Sequence, residues 1–232
     1  MDNMIKRSEV MAQQRSVRIW DWPVRFSHWA LTLCIAALYA TGEYGWLTMD
    51  WHFRFGFMAL GLLIFRILWG FFGSEHARFS TFVRGPRAVI EYVRGWASPA
   101  YRASLGHNPL GAMAVIALLL LTLAQVLTGL FSSDQIEVFG PLAERVSQKT
   151  SDWLTEWHHL GQQLLLIMIG LHIVAIAGYY LGKRENLLNP MLTGRKAVEA
   201  GADGRPGRWW VAVILVLVAF SAVWAISVYG PL

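Results

Sequence analysis

The chain has 232 residues, 55% of them hydrophobic and 15% charged, with a formal net charge of +5. A soluble domain carries about 25% charged residues, and here the apolar excess is gathered into blocks close to the roughly 20 residues that cross a bilayer core. The single cysteine, Cys34, excludes a disulfide framework, and no Cys-x-x-Cys-His run exists for covalent haem attachment.

Taken in chain order, residues 1–23 are polar, carry Lys6, Arg7, Arg15 and Arg18, and read as a retained cytoplasmic segment rather than a cleaved signal. Apolar runs then predict spans at about 24–46, 52–72, 110–131, 158–181 and 209–229. Backbone groups in lipid must be satisfied within the segment, so runs of this length are helices, whereas barrel strands are shorter and alternate. Between spans 2 and 3, Pro86–Trp96 reads as a short helix on the membrane surface, with Arg87 and Arg94 at the headgroups. Residues 195–208 read as a flexible linker. Span 5 has no ionisable residue between Trp209 and Tyr229 and reads as a packing helix. The expected organisation is therefore 1–23, a bundle over 24–195, a linker over 196–208 and a last helix over 209–232.

Most of the 20 basic residues fall before span 1, within 73–109 and within 182–208. The linker at 47–51 has none, and 132–157 holds Arg145 and Lys149 against Asp134, Glu137, Glu144, Asp152 and Glu156. The positive-inside rule then puts the N-terminus in the cytoplasm and the C-terminus in the periplasm, which an odd number of spans requires. The charge is thereby read as topology, and nucleic-acid binding is excluded. Trp20, Trp22, Trp46, Trp51, Trp69, Trp153, Trp157, Trp209 and Trp210 all lie at span ends, as interfacial belts demand.

Metal-binding side chains within spans are costly and call for a function. His28 lies at the cytoplasmic end of span 1, His52 opens span 2 on the outside, and His158 and His172 share span 4. Fourteen residues bring His158 and His172 within about 40° of one helix face and separate them by about 21 Å. His159 points about 140° away from His172, so His158 is preferred to His159. Two imidazole pairs result, His28 with His172 and His52 with His158, one near each membrane face. A lone histidine at a span end is ordinarily an interfacial hydrogen-bonding residue, but the fourfold arrangement argues for two bis-histidine b-type haems. A zinc centre needs three or four converging ligands, and a proton relay would include buried acids.

Arg66 lies 14 residues after His52 on the same face and is expected to meet a propionate of the cytoplasmic haem; snorkelling to the headgroups is the alternative. Arg25 is a weaker candidate. His107 and Asn108 are candidates for hydrogen bonds to propionates or quinone, with a turn and helix start around Pro109 as the competing reading. The acidic 132–157 segment is a solvated outer loop able to steer a basic partner.

Several stretches carry a family resemblance. They are Trp22-Pro-Val-Arg-Phe-Ser-His28-Trp29, His52-Phe-Arg-Phe-Gly56, Phe65-Arg66-Ile-Leu-Trp69-Gly70, Gly106-His-Asn-Pro-Leu-Gly111, Glu156-Trp-His158-His159-Leu-Gly161 and Gly170-Leu-His172. Across about 18–195 the chain resembles the bacterial cytochrome b561 family, including the cytochrome b subunits of nickel–iron hydrogenases. The resemblance implies an all-α integral membrane protein: a four-helix haem-binding bundle, here with a fifth C-terminal transmembrane helix that the simplest members lack. It implies transmembrane electron transfer through haem b, with His28, His52, His158 and His172 as axial ligands. Some hydrogenase-type members hold a single haem, so the count of two rests on the histidine pairs. Expected partners are membrane lipid, a quinone (ubiquinone or menaquinone), and a periplasmic c-type cytochrome or the dehydrogenase subunit of a hydrogenase, with a homodimer left open. A non-haem transporter is the minor alternative.

Overall fold

A computed structural model describes residues 15–98, 101, 103–198 and 203–229. Lys6, Arg7 and Arg102, counted above for topology, lie outside them. The described chain runs β1 (Arg15–Arg18), α1 (Trp22–Glu43), α2 (Met49–Phe72), a 3-10 turn at Glu75–Ala77, α3 (Phe79–Phe82) and α4 (Pro86–Trp96). It continues with α5 (Pro109–Phe131), a 3-10 turn at Ala143–Arg145, α6 (Gln148–Lys183), α7 (Leu188–Thr193), β2 (Arg195–Val198) and α8 (Trp209–Tyr229). By length and apolarity α2, α5, α6 and α8 qualify outright as membrane-crossing. α1 has the length but carries Arg25, Ser27, His28, Thr32, Thr41 and Glu43 among its 22 residues.

Local chemistry sets the helix starts. The Asp21 carboxylate accepts from Val24 N at 3.0 Å and Pro23 occupies the first turn of α1. Asn108 accepts from Gly111 N at 2.7 Å ahead of Pro109 in α5, and Ser147 accepts from Thr150 N at 3.3 Å ahead of α6. Each satisfies a donor that a helix leaves unpaired. The Ser147 cap starts α6 at Gln148 rather than 158, so α6 has 36 residues, about 54 Å, and projects past the bilayer as a polar turn that no apolar count can detect.

α1 packs on α2 and α5 on α6, with α2 also touching α5 and α8, while α1 and α6 hardly meet. Cys34, Ala59, Leu60, Leu63, Val126 and Leu130 form the core between α1, α2 and α5. A second core joins Val17, Ile19, Trp20, Val24, Phe65 and Trp69 to Leu215 and Ala219 of α8. Trp69, 1% exposed, anchors it by donating Nε1–H to Asp21 at 3.0 Å.

The stretch after α7 has more order than a flexible linker. β2 pairs antiparallel with β1, Arg15 opposite Val198 and Arg18 opposite Arg195. Gly194 turns the chain into β2 with φ of +82°, and its carbonyl accepts from Ile19 N and Trp20 N. Only glycine fits there: a Cβ would stand 2.7 Å from Trp20 O. Downstream, Asp203 accepts from Arg18 N at 2.7 Å. Gly207 lies so close to Trp69 that a Cβ would meet its ring at 2.4 Å. The glycines that suggest looseness in sequence thus permit close packing.

α4 buries no residue fully, as an interfacial helix should. A hydrogen-bonded chain fastens it: Tyr92 to Tyr179 at 2.9 Å and to Tyr101 at 3.3 Å, and Tyr101 to Glu185 at 2.7 Å. Lys196 closes the chain with an ion pair to Glu185 at 2.6 Å.

Candidate functional site

The rings of His52 on α2 and His158 on α6 face each other with centroids 6.5 Å apart and planes at 79°. A metal–imidazole bond of about 2 Å on each side of one iron would set trans ring centroids roughly 6 Å apart, so the spacing suits a shared axial pair.

The hydrogen bonds also prepare both rings. His158 Nδ1 is 2.9 Å from the carbonyl oxygen of Gln125, which can only accept, so the proton sits on Nδ1. His52 Nδ1 is 3.0 Å from Thr41 Oγ1. That hydroxyl donates its own proton to Ala37 O at 2.8 Å and therefore accepts from His52. Both Nε2 atoms are therefore unprotonated, the state that ligation of a metal requires. Gln125 Nε2 donates to His158 O at 2.9 Å and stands 3.4 Å from His158 Nε2.

Room for the rings comes from two glycines. A Cβ on Gly129 would stand 2.7 Å from His158 Cε1, and one on Gly42 3.0 Å from His52 Cε1. His159 is exposed on another face of α6, its ring 6.4 Å from that of His158. Sequence reading found the two histidines and missed Thr41, Gly42, Gln125, Thr128 and Gly129. Gln125, an amide in the middle of a leucine-rich span, was the signal on offer.

At the other end, His28 of α1 lies in the neighbourhood of His172 of α6 and Arg66 of α2. The two histidines stand on helices that hardly touch. Arg66 is buried, lies 5.6 Å from the Phe79 ring centroid, and has Nη1 without a hydrogen-bond partner. His28 Nδ1, His76 Nε2, Arg78 Nε and His107 Nδ1 are likewise buried and unpartnered. A native interior rarely leaves such groups unmatched, and Arg66 together with the imidazoles near it suits carboxylates. The residues therefore fit haem: paired imidazoles for iron, and unmatched donors for propionates.

His107 is sandwiched by Trp20 and Phe82 at centroid distances of 4.5 and 4.4 Å. Burial, reinforced by the nearby Arg66, pushes its pKa down to about 3, so the ring is neutral. Asn108 caps α5 and donates to Tyr179 at 3.1 Å, which favours the helix-start reading of that motif. Arg25 is spent on the carbonyls of Met191 and Leu192 and does not join the cluster. His76 and Arg78 were not singled out as site residues in sequence.

An α-helical membrane bundle with two imidazoles juxtaposed between its helices fits the class of membrane haem proteins. The family pattern of the prokaryotic cytochrome b561 matches residues 19–194, and the chain belongs to that family. It is thus a multi-pass membrane protein of haem b and transmembrane electron transfer. Curated relatives are named as probable Ni/Fe-hydrogenase B-type cytochrome subunits. The one from Azotobacter chroococcum mcd 1 is 24% identical, covering 85% of this chain and 94% of its own length. That from Bradyrhizobium diazoefficiens is 28% identical over 78% and 86%, and the hydrogenase 1 subunit of Escherichia coli K12 is 26% identical over 74% and 84%. No solved structure matches the chain significantly.

Proposed function

We propose that the chain carries electrons across the bacterial inner membrane through two haems b, one held by His28 and His172 and the other by His52 and His158. The juxtaposition of His52 and His158 carries this reading, because the ring centroids are spaced as one iron would require and each ring has its proton on Nδ1. When bound, haem b supplies one-electron redox chemistry at a potential set by its ligands and surroundings.

The protein's own contribution is orientation and electrostatics. Gln125 O and Thr41 Oγ1 hold the outer imidazoles in one tautomer, while Gly129 and Gly42 let the rings lie against the helices. Arg66, with His107 and His76 nearby, offers positive charge and N–H groups to propionates at the cytoplasmic end. The basic segments before α1, between α2 and α5, and after α6 support a cytoplasmic N-terminus and a periplasmic C-terminus.

Electrons exchange with a membrane quinone, ubiquinone or menaquinone, and with a periplasmic redox partner. The names of the relatives favour a hydrogenase-type dehydrogenase as that partner; the acidic 132–157 segment favours a basic c-type cytochrome. Haem quantitation on protein purified from haem-replete cells tests the core of this reading, with two haems b per chain expected. A colourless preparation would overturn it, and one haem per chain would remove one of the two pairs. Copurification with a hydrogenase small subunit or with a c-type cytochrome decides between the partners.

A further inference from the structure

The family match ends at residue 194, so α8 and the segment leading into it lie outside it. Where that segment joins the bundle there is a groove of about 590 Å³. The end of α2 (Phe72, Gly73), the 3-10 turn and Arg78, the stretch Arg205–Arg208, and the start of α8 line it.

One end of the groove is cationic. Arg78, Arg205 and Arg208 line it, and among the described residues none of the three makes an ion pair. Arg78 Nε is buried without a partner, and the Arg208 guanidinium lies 5.8 Å from the Trp210 ring centroid. Glu75 is the sole acid in the lining. Its carboxylate accepts from the backbone N of Arg205 at 3.0 Å, which holds its pKa down and keeps it ionised. The three arginines still outnumber it.

The other end is apolar and faces lipid. Trp210, Val211, Ile214 and Leu215 descend along α8, and Phe72 stands exposed opposite them. Trp209 and Trp210 mark this level as the membrane interface. Unpaired guanidinium groups at headgroup depth above an apolar channel complement one molecular class, a phosphodiester with acyl chains. Basic pockets between helices on the cytoplasmic side bind anionic headgroups for this reason, and guanidinium takes phosphate oxygens in pairs.

We infer that this groove is a binding site for an anionic phospholipid, whose phosphodiester sits on Arg78, Arg205 and Arg208 and whose acyl chain seals the α2–α8 junction. α8 touches the bundle chiefly through α2, so the lipid adds a second attachment for the appended helix. The inference does not depend on the haem assignment.

The test is native mass spectrometry of the full chain in mild detergent, loaded with phosphatidylglycerol or with phosphatidylcholine of the same acyl composition. Wild type should retain phosphatidylglycerol preferentially. R205Q/R208Q should lose that retention by roughly thirtyfold, about 1 kcal/mol for each arginine, while R205K/R208K keeps most of it. Lys149→Gln, at the opposite end of the molecule, should change nothing. An unaltered elution volume and helical circular dichroism show that each variant is folded. Equal retention of the two lipids by wild type, unchanged retention in R205Q/R208Q, or displacement of phosphatidylglycerol by inorganic phosphate would each overturn the proposal.

Discussion

His52 and His158 come from helices 2 and 6, and their rings meet at 6.5 Å with planes nearly perpendicular, at 79°. If these two rings hold one iron, the variant His158→Ala should lose one of two haems per chain, while His159→Ala keeps both, measured by haem quantitation. A His159→Ala protein that lost the outer haem would show that the helical-phase assignment is wrong.

Gly129 leaves room for the His158 ring, since a Cβ would press on Cε1 at 2.7 Å. The ring cannot retreat freely, because its Nδ1–H is bonded to Gln125 O on the same helix as Gly129. Gly129→Ala should therefore loosen the outer haem and shift its potential, and Gly129→Val should remove it. Gly56, which has open space where a Cβ would go, is the control: Gly56→Ala should retain both haems, measured by pyridine haemochrome.

How much of this was legible in the sequence follows from which properties are periodic. Apolar runs located the spanning helices, and a 14-residue interval put His158 and His172 on one face, because helix geometry repeats regardless of packing. Partners set by tertiary contact were not legible. Thr41 looks like any small polar residue in a span until α2 brings His52 beside it, and Gly207 looks like a linker glycine until Trp69 fills the space above it. The start of α6 at Gln148 was missed because a serine cap, not hydrophobicity, decides it.

Arg66 is buried and carries an unpartnered Nη1 close to His28. A fixed positive charge favours the electron-rich state of a neighbouring haem. Arg66→Met should lower the midpoint potential of the His28–His172 haem by tens of millivolts, about 59 mV for each 1.4 kcal/mol of lost interaction in a one-electron couple. The other haem should hardly move. Redox titration resolves the two, and an unchanged pair of potentials would remove Arg66 from the site.

Asp21 does two things at the mouth of the bundle. One oxygen caps α1 through Val24 N, and the other accepts the indole proton of Trp69, each at 3.0 Å. Asp21→Ala leaves a helix donor and a buried indole N–H unmatched, which should cost about 1–3 kcal/mol. Asp21→Asn keeps an acceptor for one of them and should cost less. The temperature at which the Soret band is lost on heating orders the three proteins.

His107 gives a pH dependence with a definite sign. Burial holds its pKa at about 3 in the folded chain, against about 6.5 when unfolded. The unfolded state therefore binds the extra proton first, and acid favours unfolding. His107's contribution to stability is fully present above pH 6.5 and is lost progressively as the pH falls from there toward 3. Replacing it by phenylalanine keeps an aromatic ring between Trp20 and Phe82 and removes the titrating group. The thermal midpoint of wild type should fall more steeply between pH 6.5 and 4 than that of His107→Phe, with the two curves running parallel above neutrality. Parallel curves throughout would mean that His107 titrates alike in the folded and unfolded chain, and wild type losing stability relative to His107→Phe above neutrality would mean that the folded ring holds its proton, as it would with a carboxylate against Nδ1.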